Sequence, residues 1–496
     1  MSHHPIRTET ESPWSSVARD RLFCCLVVSV HWLVAPNHVR AEDSSGPFVV
    51  KPYIQLGNAP RLLQREQMVV TWHTADEDAD WNVEYRKDRE SAWQPAKSPS
   101  YKVVAVETVA PHRVYRGRID DLVPGDKFFY RVKRNGMAVF TAGGRARRPR
   151  AQSHRCVVMA DCGTGSVEQR KVAYQVYKMN PDYVLIPGDI VYDNGRILEY
   201  NKWVFPIYNS DDAEAERGVP LLRSVPFFGG LGQHDTGQPL DLFPDGFAYY
   251  MYWSFPLNGP VRAASDSHAF PLGGTQAMRN ATLEATGNRY PVMANYSFDY
   301  GNAHWTVLDT WNPHIDWNDE SLRAWLRNDL ADTDATWKFV SSYLPPFNSS
   351  TKFPHTQKLR VVVDILQQND VDIVFCGYAH SYQVTCPLQF RATPEPSGPV
   401  KYPGHAIPGE FVFDRKFDGK THTTPGGIIY ITTGGGGNPS LHSPEQTDNP
   451  DTWQEFTVKY NASINQFTEM LVKEHRLTLR QIDQNGRLID RILITK

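Results

Sequence analysis

Two rhythms divide the chain. Between residues 48 and about 142, apolar positions come in short runs that alternate or read continuously: VVKPYIQL, QMVVTWHT, WNVEYR, YKVVAVET, HRVYRGRI and KFFYRVK. They are rich in β-branched and aromatic residues and recur about every ten positions, with the turn-forming PGD and RNG between the later ones, the pattern of a small antiparallel sandwich. No cluster of His, Asp or Cys stands out there, which fits a scaffold or docking module. After residue 154 the apolar runs RCVVMA, DYVLIP, HWTVLD, TWKFVSS, VDIVFC and GIIYIT have strand length. Between some of them lie stretches of helical period, roughly 166–179, SLRAWLRNDL and TQKLRVVVDILQQ. That alternation predicts a layered α/β domain over 155–496. GGRARRPRAQSH, residues 143–154, separates the two halves, and its Gly, Pro and Arg content predicts an exposed linker.

A third pattern precedes both. Residues 22–34 read LFCCLVVSVHWLV, with Arg19 and Arg21 before them and Val39, Arg40 and Ala41 after. A short apolar stretch with a basic start and a small-residue end predicts a signal peptide over 1–41, hence a secreted or periplasmic protein. No later segment is apolar enough to cross a membrane. The loss of Cys24 and Cys25 leaves Cys156, Cys162, Cys376 and Cys386, too few for a disulfide scaffold in so long a chain, although one or two bridges stay open. Asn280, Asn295, Asn348 and Asn461 open glycosylation sequons that matter only in a host that glycosylates exported proteins.

Charge and composition exclude two classes. Fifty-two Lys and Arg against 55 Asp and Glu leave a formal charge of -3, without the basic excess of a nucleic-acid protein. At 41% apolar and 22% charged residues, wholesale disorder is excluded as well.

The chemistry gathers at strand ends, where open α/β sheets collect ligands. RCVVMA runs into Asp161, Cys162 and Gly163. DYVLIP runs into Gly188, Asp189 and Tyr192, and VPFFGGL into Gly232, Gln233, His234 and Asp235. WKFVSS is followed by Tyr343, and VDIVFC by Gly377, Tyr378 and His380. Asp161, Asp189, Tyr192 and His380 supply two carboxylates, a phenol and an imidazole, a set suited to a hard cation and to metal-assisted hydrolysis. A phenol of ordinary pKa near 10 gives up its proton only to a strongly charged ion, which favours Fe(III) over Zn(II). Two carboxylates and one phenolate also balance a trivalent charge. His234 is left to act as a general acid or as a clamp on a bound anion. The GGGG run at 434–437 lacks the Lys-Ser/Thr of a P-loop and reads as a turn near the site rim.

These motifs resemble the purple acid phosphatases of the calcineurin-like metallophosphoesterase superfamily, through DCG, GDIVY, GQHD, FDYGNAHWTVLDT, WLRNDL, VDIVFCGYAHSYQ and GIIYITTGGGGN. PYIQLG, MVVTWHT and LVPGDKFFYRV resemble that family's fibronectin-III-like N-terminal module. The resemblance implies a metallophosphoesterase four-layer α/β sandwich behind an all-β domain over 48–142. It also implies acid phosphatase activity on phosphate monoesters by a metal-bound hydroxide, with a small phosphorylated molecule as substrate and no nucleic-acid partner. Fe(III) would be held by Asp161, Asp189, Tyr192 and His380, with Asp189 bridging to a second ion of Fe, Zn or Mn.

The second ion's ligands in the family are an Asn and two His. Here Gln233, Tyr343 and Tyr378 stand at those places. A phenol must lose a proton before it binds a divalent ion, so the second site is expected to be weak. A non-catalytic anion- or partner-binding protein with one metal or none is therefore the rival expectation. The further histidine pair that some relatives carry shortly after the Tyr343 position is not evident here, although His355 lies near that segment and could substitute.

Overall fold

The computed structural model describes residues 46–352, 356–393, 406–442 and 446–496, all within the unit Ser45–Lys496. The signal-peptide expectation for 1–41 and the role considered for His355 fall outside the described residues.

The front half forms eight strands: β1 (Val50–Gln55), β2 (Glu66–Ala75), β3 (Trp81–Arg86), β4 (Gln94–Pro95), β5 (Ser100–Val104), β6 (His112–Leu122), β7 (Lys127–Arg134) and β8 (Met137–Arg145). They make two antiparallel sheets, β1-β2-β6-β5 and β4-β3-β7-β8. Ile54, Met68, Val70 and Trp72 point into the core between the sheets with Trp81, Phe128 and Tyr130. Their neighbours Tyr53, Val104 and Val114 belong instead to the core of the back half. β1 and β2 are thus buried on both faces, which is why QMVVTWHT reads as a continuous run and not an alternating one. Polar bonds fix the joint: Ile54 N–H donates to the Leu222 carbonyl (3.0 Å), Tyr53 Oη to the Tyr252 carbonyl (2.8 Å) and Arg116 to the Met251 carbonyl (2.6 Å).

The connector is not the solvated strap its composition predicts. β8 runs into it, Ala146 and Arg147 are buried, and His154 begins the next strand. Arg147 is ion-paired to Glu66 and donates to the carbonyls of Arg61 (2.8 Å) and Asp299 (2.9 Å). A guanidinium enters a core only where such a partner set awaits it, and a single segment's composition does not reveal the partners.

The back half begins with β9 (His154–Val158), the helix Val167–Met179 capped by Ser166, and β10 (Tyr183–Ile186). A hairpin of β11 (Asn209–Glu214) and β12 (Gly218–Pro220) precedes β13 (Phe227–Gly229). Then come β14 (Tyr296–Tyr300), β15 (Ala303–Leu308), β16 (Trp337–Ser342), β17 (Ile373–Cys376) and β18 (Tyr382–Thr385). A small pair, β19 (Leu388–Ala392) and β20 (Gly409–Phe413), leads to β21 (Ile429–Thr433). Four strands end the chain: β22 (Thr457–Asn461), β23 (Gln466–Val472), β24 (Arg476–Asp483) and β25 (Leu488–Thr495). They form one sheet of order β13-β10-β9-β23-β24-β25 and another of order β14-β15-β16-β17-β21-β18-β22.

Alternation along the second sheet assigns the layers. Phe339, Ile373, Phe375, Ile429 and Ile431 share a core with Val157, Met470 and the helix residues Val172 and Val176. Val340, Val374 and Tyr430, one position on, pack with Leu322, Leu326, Leu330 and Leu366 of the helices Glu320–Ala331 and Val363–Gln368. The order is helix, sheet, sheet, helix, a metallophosphoesterase-type α/β arrangement with mixed sheets.

Among the described residues all four cysteines are buried and unbridged. Of the sequons, Asn280 is exposed, whereas Asn295 and Asn348 are buried, their side-chain oxygens accepting from Asp309 N (2.7 Å) and Ser350 N (2.8 Å). No helix among the described residues is long and apolar enough to cross a membrane.

One buried network ties β14 and β15 to the helix Glu320–Ala331. His304 bonds Asp299 through Nδ1 (2.8 Å) and Asp329 through Nε2 (3.1 Å), while Thr306 Oγ1 donates to Asp329 (2.9 Å) and Arg61 lies 3.6 Å from Asp299. Burial opposes the charge on His304, but the two carboxylates overcome it and raise its pKa above the usual value. Burial would raise Asp299, yet His304 and Arg61 hold it below the usual carboxylate range. The signs are opposite. The histidine's contribution is complete below its unfolded pKa of about 6.5 and is lost as pH rises through its folded value, and Asp299's is complete above about 3.9 and is lost in acid. Urea midpoints measured from pH 6 to 9 are therefore expected to fall with rising pH in the parent and to fall less in His304→Gln. Equal slopes would exclude the imidazolium.

Candidate functional site

The carboxyl ends of the parallel strands of both sheets meet at one place. Asp161 follows β9, Asp189 and Tyr192 follow β10, and His234 and Asp235 follow β13. From the other sheet, Tyr343 follows β16, Tyr378 and His380 follow β17, and the glycine run 434–437 follows β21. Asp161 (φ 60°), Asp189 (φ 53°) and Tyr378 (φ 67°) adopt the left-handed backbone region that non-glycine residues seldom occupy. Such conformations persist only where surrounding bonds impose them, and they cluster at functional sites. At Tyr378 the imposing bond is its own N–H, which donates to Asp161 Oδ2 (2.9 Å).

Asp235 organises the loop that carries two of the expected ligands. It is fully buried, and its carboxylate accepts from the N–H groups of Asp189 (2.7 Å), Ile190 (2.9 Å), Val191 (3.4 Å) and Gly232 (2.8 Å). Burial, then the nearby charge of Asp189, raises its pKa well above the usual range. Asp189 in turn accepts the His234 N–H on Oδ1 (2.8 Å) and the Tyr343 hydroxyl on Oδ2 (2.5 Å), and burial lifts its pKa to about 6.

Three donor atoms of the expected quartet face one another. Tyr192 Oη is 3.4 Å from Asp161 Oδ1 and 3.3 Å from His380 Nε2, which is 3.5 Å from Asp161 Oδ1. Ligands about 2.1 Å from a common ion stand about 3–3.5 Å from each other, so this set fits one ion. His380 Nδ1 is 2.6 Å from the Ser440 carbonyl, which can only accept; Nδ1 therefore carries the proton and Nε2 offers its lone pair. Burial opposes a charge on His380, but Asp161 raises its pKa. The Tyr192 phenol is pushed well above its ordinary value by burial and by Asp189 and Asp161, so only a cation among these donors would release its proton. No group of three or more His, Cys, Asp or Glu among the described residues is arranged to hold a metal ion unaided. The phenol is what completes the set.

His234 is half-buried, its ring 4.3 Å from that of Tyr192, and its Nδ1 meets the Asp193 carbonyl (2.7 Å). Gln233 beside it is exposed. Tyr343 and Tyr378 are buried, with ring centroids 5.3 Å apart, and Trp311 lies 6.3 and 6.2 Å from them. Together they form an aromatic cluster where donors to a second ion would stand, so the residues present do not fit a second metal. The glycine run lies beneath the site: Gly434 N donates to the Ser381 carbonyl (3.0 Å) and Gly436 N to that of Ala160 (2.9 Å).

Sequence reasoning passed over three neighbours. Asp235 is the last residue of the strand-end motif GQHD. His442 stacks on His380 at 4.1 Å and accepts its backbone N–H on Nδ1 (2.9 Å), and burial, then His380, pushes its pKa down to about 2. Asn438 bonds the Tyr192 phenol and donates its N–H to the Asp161 carbonyl (3.0 Å). Asp235 and Asn438 close the motifs GQHD and GIIYITTGGGGN, whereas His442, nine positions past the end of β21, carries no such signal.

Residues 154–382 match the family model of the calcineurin-like phosphoesterases. Purple acid phosphatase 23 of Arabidopsis thaliana is 25% identical over 269 residues, 50% of this chain and 51% of that protein. Probable inactive purple acid phosphatase 27 of the same plant is 23% identical over 398 residues, 71% of this chain and 57% of that protein. The matches thus span about half to three-fifths of these curated relatives. The solved structure of purple acid phosphatase PPD1 from yellow lupin (Lupinus luteus) seeds superposes with a TM-score of 0.64 at 16% identity, over 90% of this chain and 74% of that one, a likeness of fold. Over residues 154–382 the chain thus matches the calcineurin-like phosphoesterase family model, and it is similar to the purple acid phosphatases.

Proposed function

We propose that this protein is an exported phosphatase that hydrolyses phosphate monoesters at a metal centre held by Asp161, Asp189, Tyr192 and His380. The mutual approach of Asp161, Tyr192 and His380 to 3.3–3.5 Å carries the reading. A bound ferric-type ion would supply Lewis-acid polarisation of a phosphoryl oxygen and acidify water. The chain's own residues do the rest. The Ser440 carbonyl fixes the His380 tautomer, and the Asp235 loop holds Asp189 and Tyr192 in place. His234, anchored through Nδ1, presents Nε2 to the leaving-group oxygen and delivers a proton to it when charged. We also assign residues 48–142 as a fibronectin-III-like module, which the order of its two antiparallel sheets supports. Export rests on the signal-like pattern before residue 42.

The full chain loaded with Fe(III) is expected to show a visible phenolate-to-iron band that disappears in Tyr192→Phe, and to release phosphate from p-nitrophenyl phosphate between acid and neutral pH. A protein that binds no iron would overturn the proposal. The hydroxyl of Tyr343 on Asp189 Oδ2 favours a second reading, a phosphate-binding protein without turnover. Inorganic phosphate binding with no hydrolysis by the iron-loaded chain would select it.

A further inference from the structure

We infer that the O–H group of Tyr343 takes the place of a second metal ion on Asp189, and that the aromatic cluster around it makes this a centre for one ion. The inference rests on the metal-centre reading proposed above and concerns how many ions that centre admits. Both oxygens of Asp189 already have donors from the chain: Oδ1 accepts the His234 N–H at 2.8 Å and Oδ2 the Tyr343 hydroxyl at 2.5 Å. The short bond to Oδ2 puts a phenol proton where a bridging carboxylate would otherwise meet a cation. The same hydroxyl is 3.4 Å from Asp161 Oδ1, so it stands between the two carboxylates.

The ring behind that hydroxyl has a built seat. A Cβ on Gly188 would come 2.4 Å from Tyr343 Cδ2, one on Gly232 2.9 Å from Cε2, and one on Gly377 3.2 Å from Cδ2. Three glycines, from the ends of β10, β13 and β17, thus leave a slot one aromatic ring wide. Tyr378 and Trp311 close the other side, their centroids 5.3 and 6.3 Å from that of Tyr343. A second ion here would have to displace a proton from a buried phenol and find other ligands among aromatic rings, while Gln233 is exposed. The substitution is a charge replacement: one proton on a fixed phenol in place of a divalent ion, with the space filled by carbon.

The test is metal stoichiometry, which does not depend on turnover. Full-length protein is loaded with Fe(III), exposed to excess Zn(II) or Mn(II), freed of loose metal by gel filtration and measured by elemental analysis. The parent is expected to retain about one ion per chain, and the double variant Tyr343→His with Tyr378→His about two. Tyr343→Phe keeps the ring in its slot and is expected to retain one ion and the phenolate-to-iron band. Two ions in the parent would overturn the inference while leaving the metal-centre reading intact. Loss of the band in Tyr343→Phe would overturn it too, by making Tyr343 an iron ligand. No ion in the parent would bring down both. Should the double variant fail to fold, the parent stoichiometry and the Tyr343→Phe spectrum still decide.

Discussion

Replacing Asp235 by alanine is expected to destabilise the protein by about 3–5 kcal/mol and to abolish iron binding. The carboxylate satisfies four backbone N–H groups in a fully buried loop, from Gly232 and from the consecutive residues Asp189, Ile190 and Val191. A buried donor left without a partner costs about 1–3 kcal/mol, and partial relaxation keeps the total below the plain sum. The functional loss follows from position: Asp189 and Tyr192 ride on that loop, and a ligand misplaced by about an ångström no longer shares an ion with its neighbours. Asp235→Asn keeps one acceptor oxygen and is expected to lose about half as much stability. Urea unfolding and iron titration measure the two effects separately. A stability change under about 1 kcal/mol in Asp235→Ala would mean that the loop holds its shape without the carboxylate.

Much of this arrangement is legible in the sequence. The parallel strands announce themselves because both faces are covered and their sequences, such as YVLI and IVFC, are continuously apolar; a polar residue just past each end then marks the site. Asp161, Asp189, Tyr192 and His380 stand at such ends, and the structure brings their elements to one place. The last four strands carried no expectation. In QFTEMLV a buried Glu469 interrupts the apolar run, its carboxylate neutralised by Arg155 and by Arg480, a partner on the adjacent strand. No local pattern reveals that β23 inserts beside β9 at the centre of the sheet. The aromatic cluster was hidden for a similar reason: Trp311 lies 32 positions before Tyr343 and 67 before Tyr378, and only the sheet order makes them neighbours. The linker failed on charge. Arginines between glycines and prolines read as solvated, and nothing near residue 147 in the sequence announces Glu66 or Asp299.

That buried arginine carries the other large effect. Arg147→Met is expected to cost about 3–5 kcal/mol, because it strands the Glu66 carboxylate in the joint between the two halves, where among the described residues the Leu63 N–H (3.2 Å) still donates to it. Three carbonyls, of Pro60, Arg61 and Asp299, lose a donor at the same time. The double variant Arg147→Met with Glu66→Leu is expected to recover most of the loss, since an apolar pair of similar volume does without the desolvation that a buried ion pair must overcome. Thermal unfolding of the two singles and the double closes the cycle, and an additive result would show that the two side chains do not act as a pair. The variant also reaches the histidine network, because the residue whose carbonyl Arg147 holds is Asp299, the partner of His304 Nδ1. Slackening that backbone weakens the bond that raises the His304 pKa, so the fall in stability between pH 6 and 9 is expected to be shallower in Arg147→Met than in the parent. An unchanged slope would confine the role of Arg147 to its ion pair with Glu66, and a shallower one makes the connector a brace that reaches from the front sandwich into the second sheet.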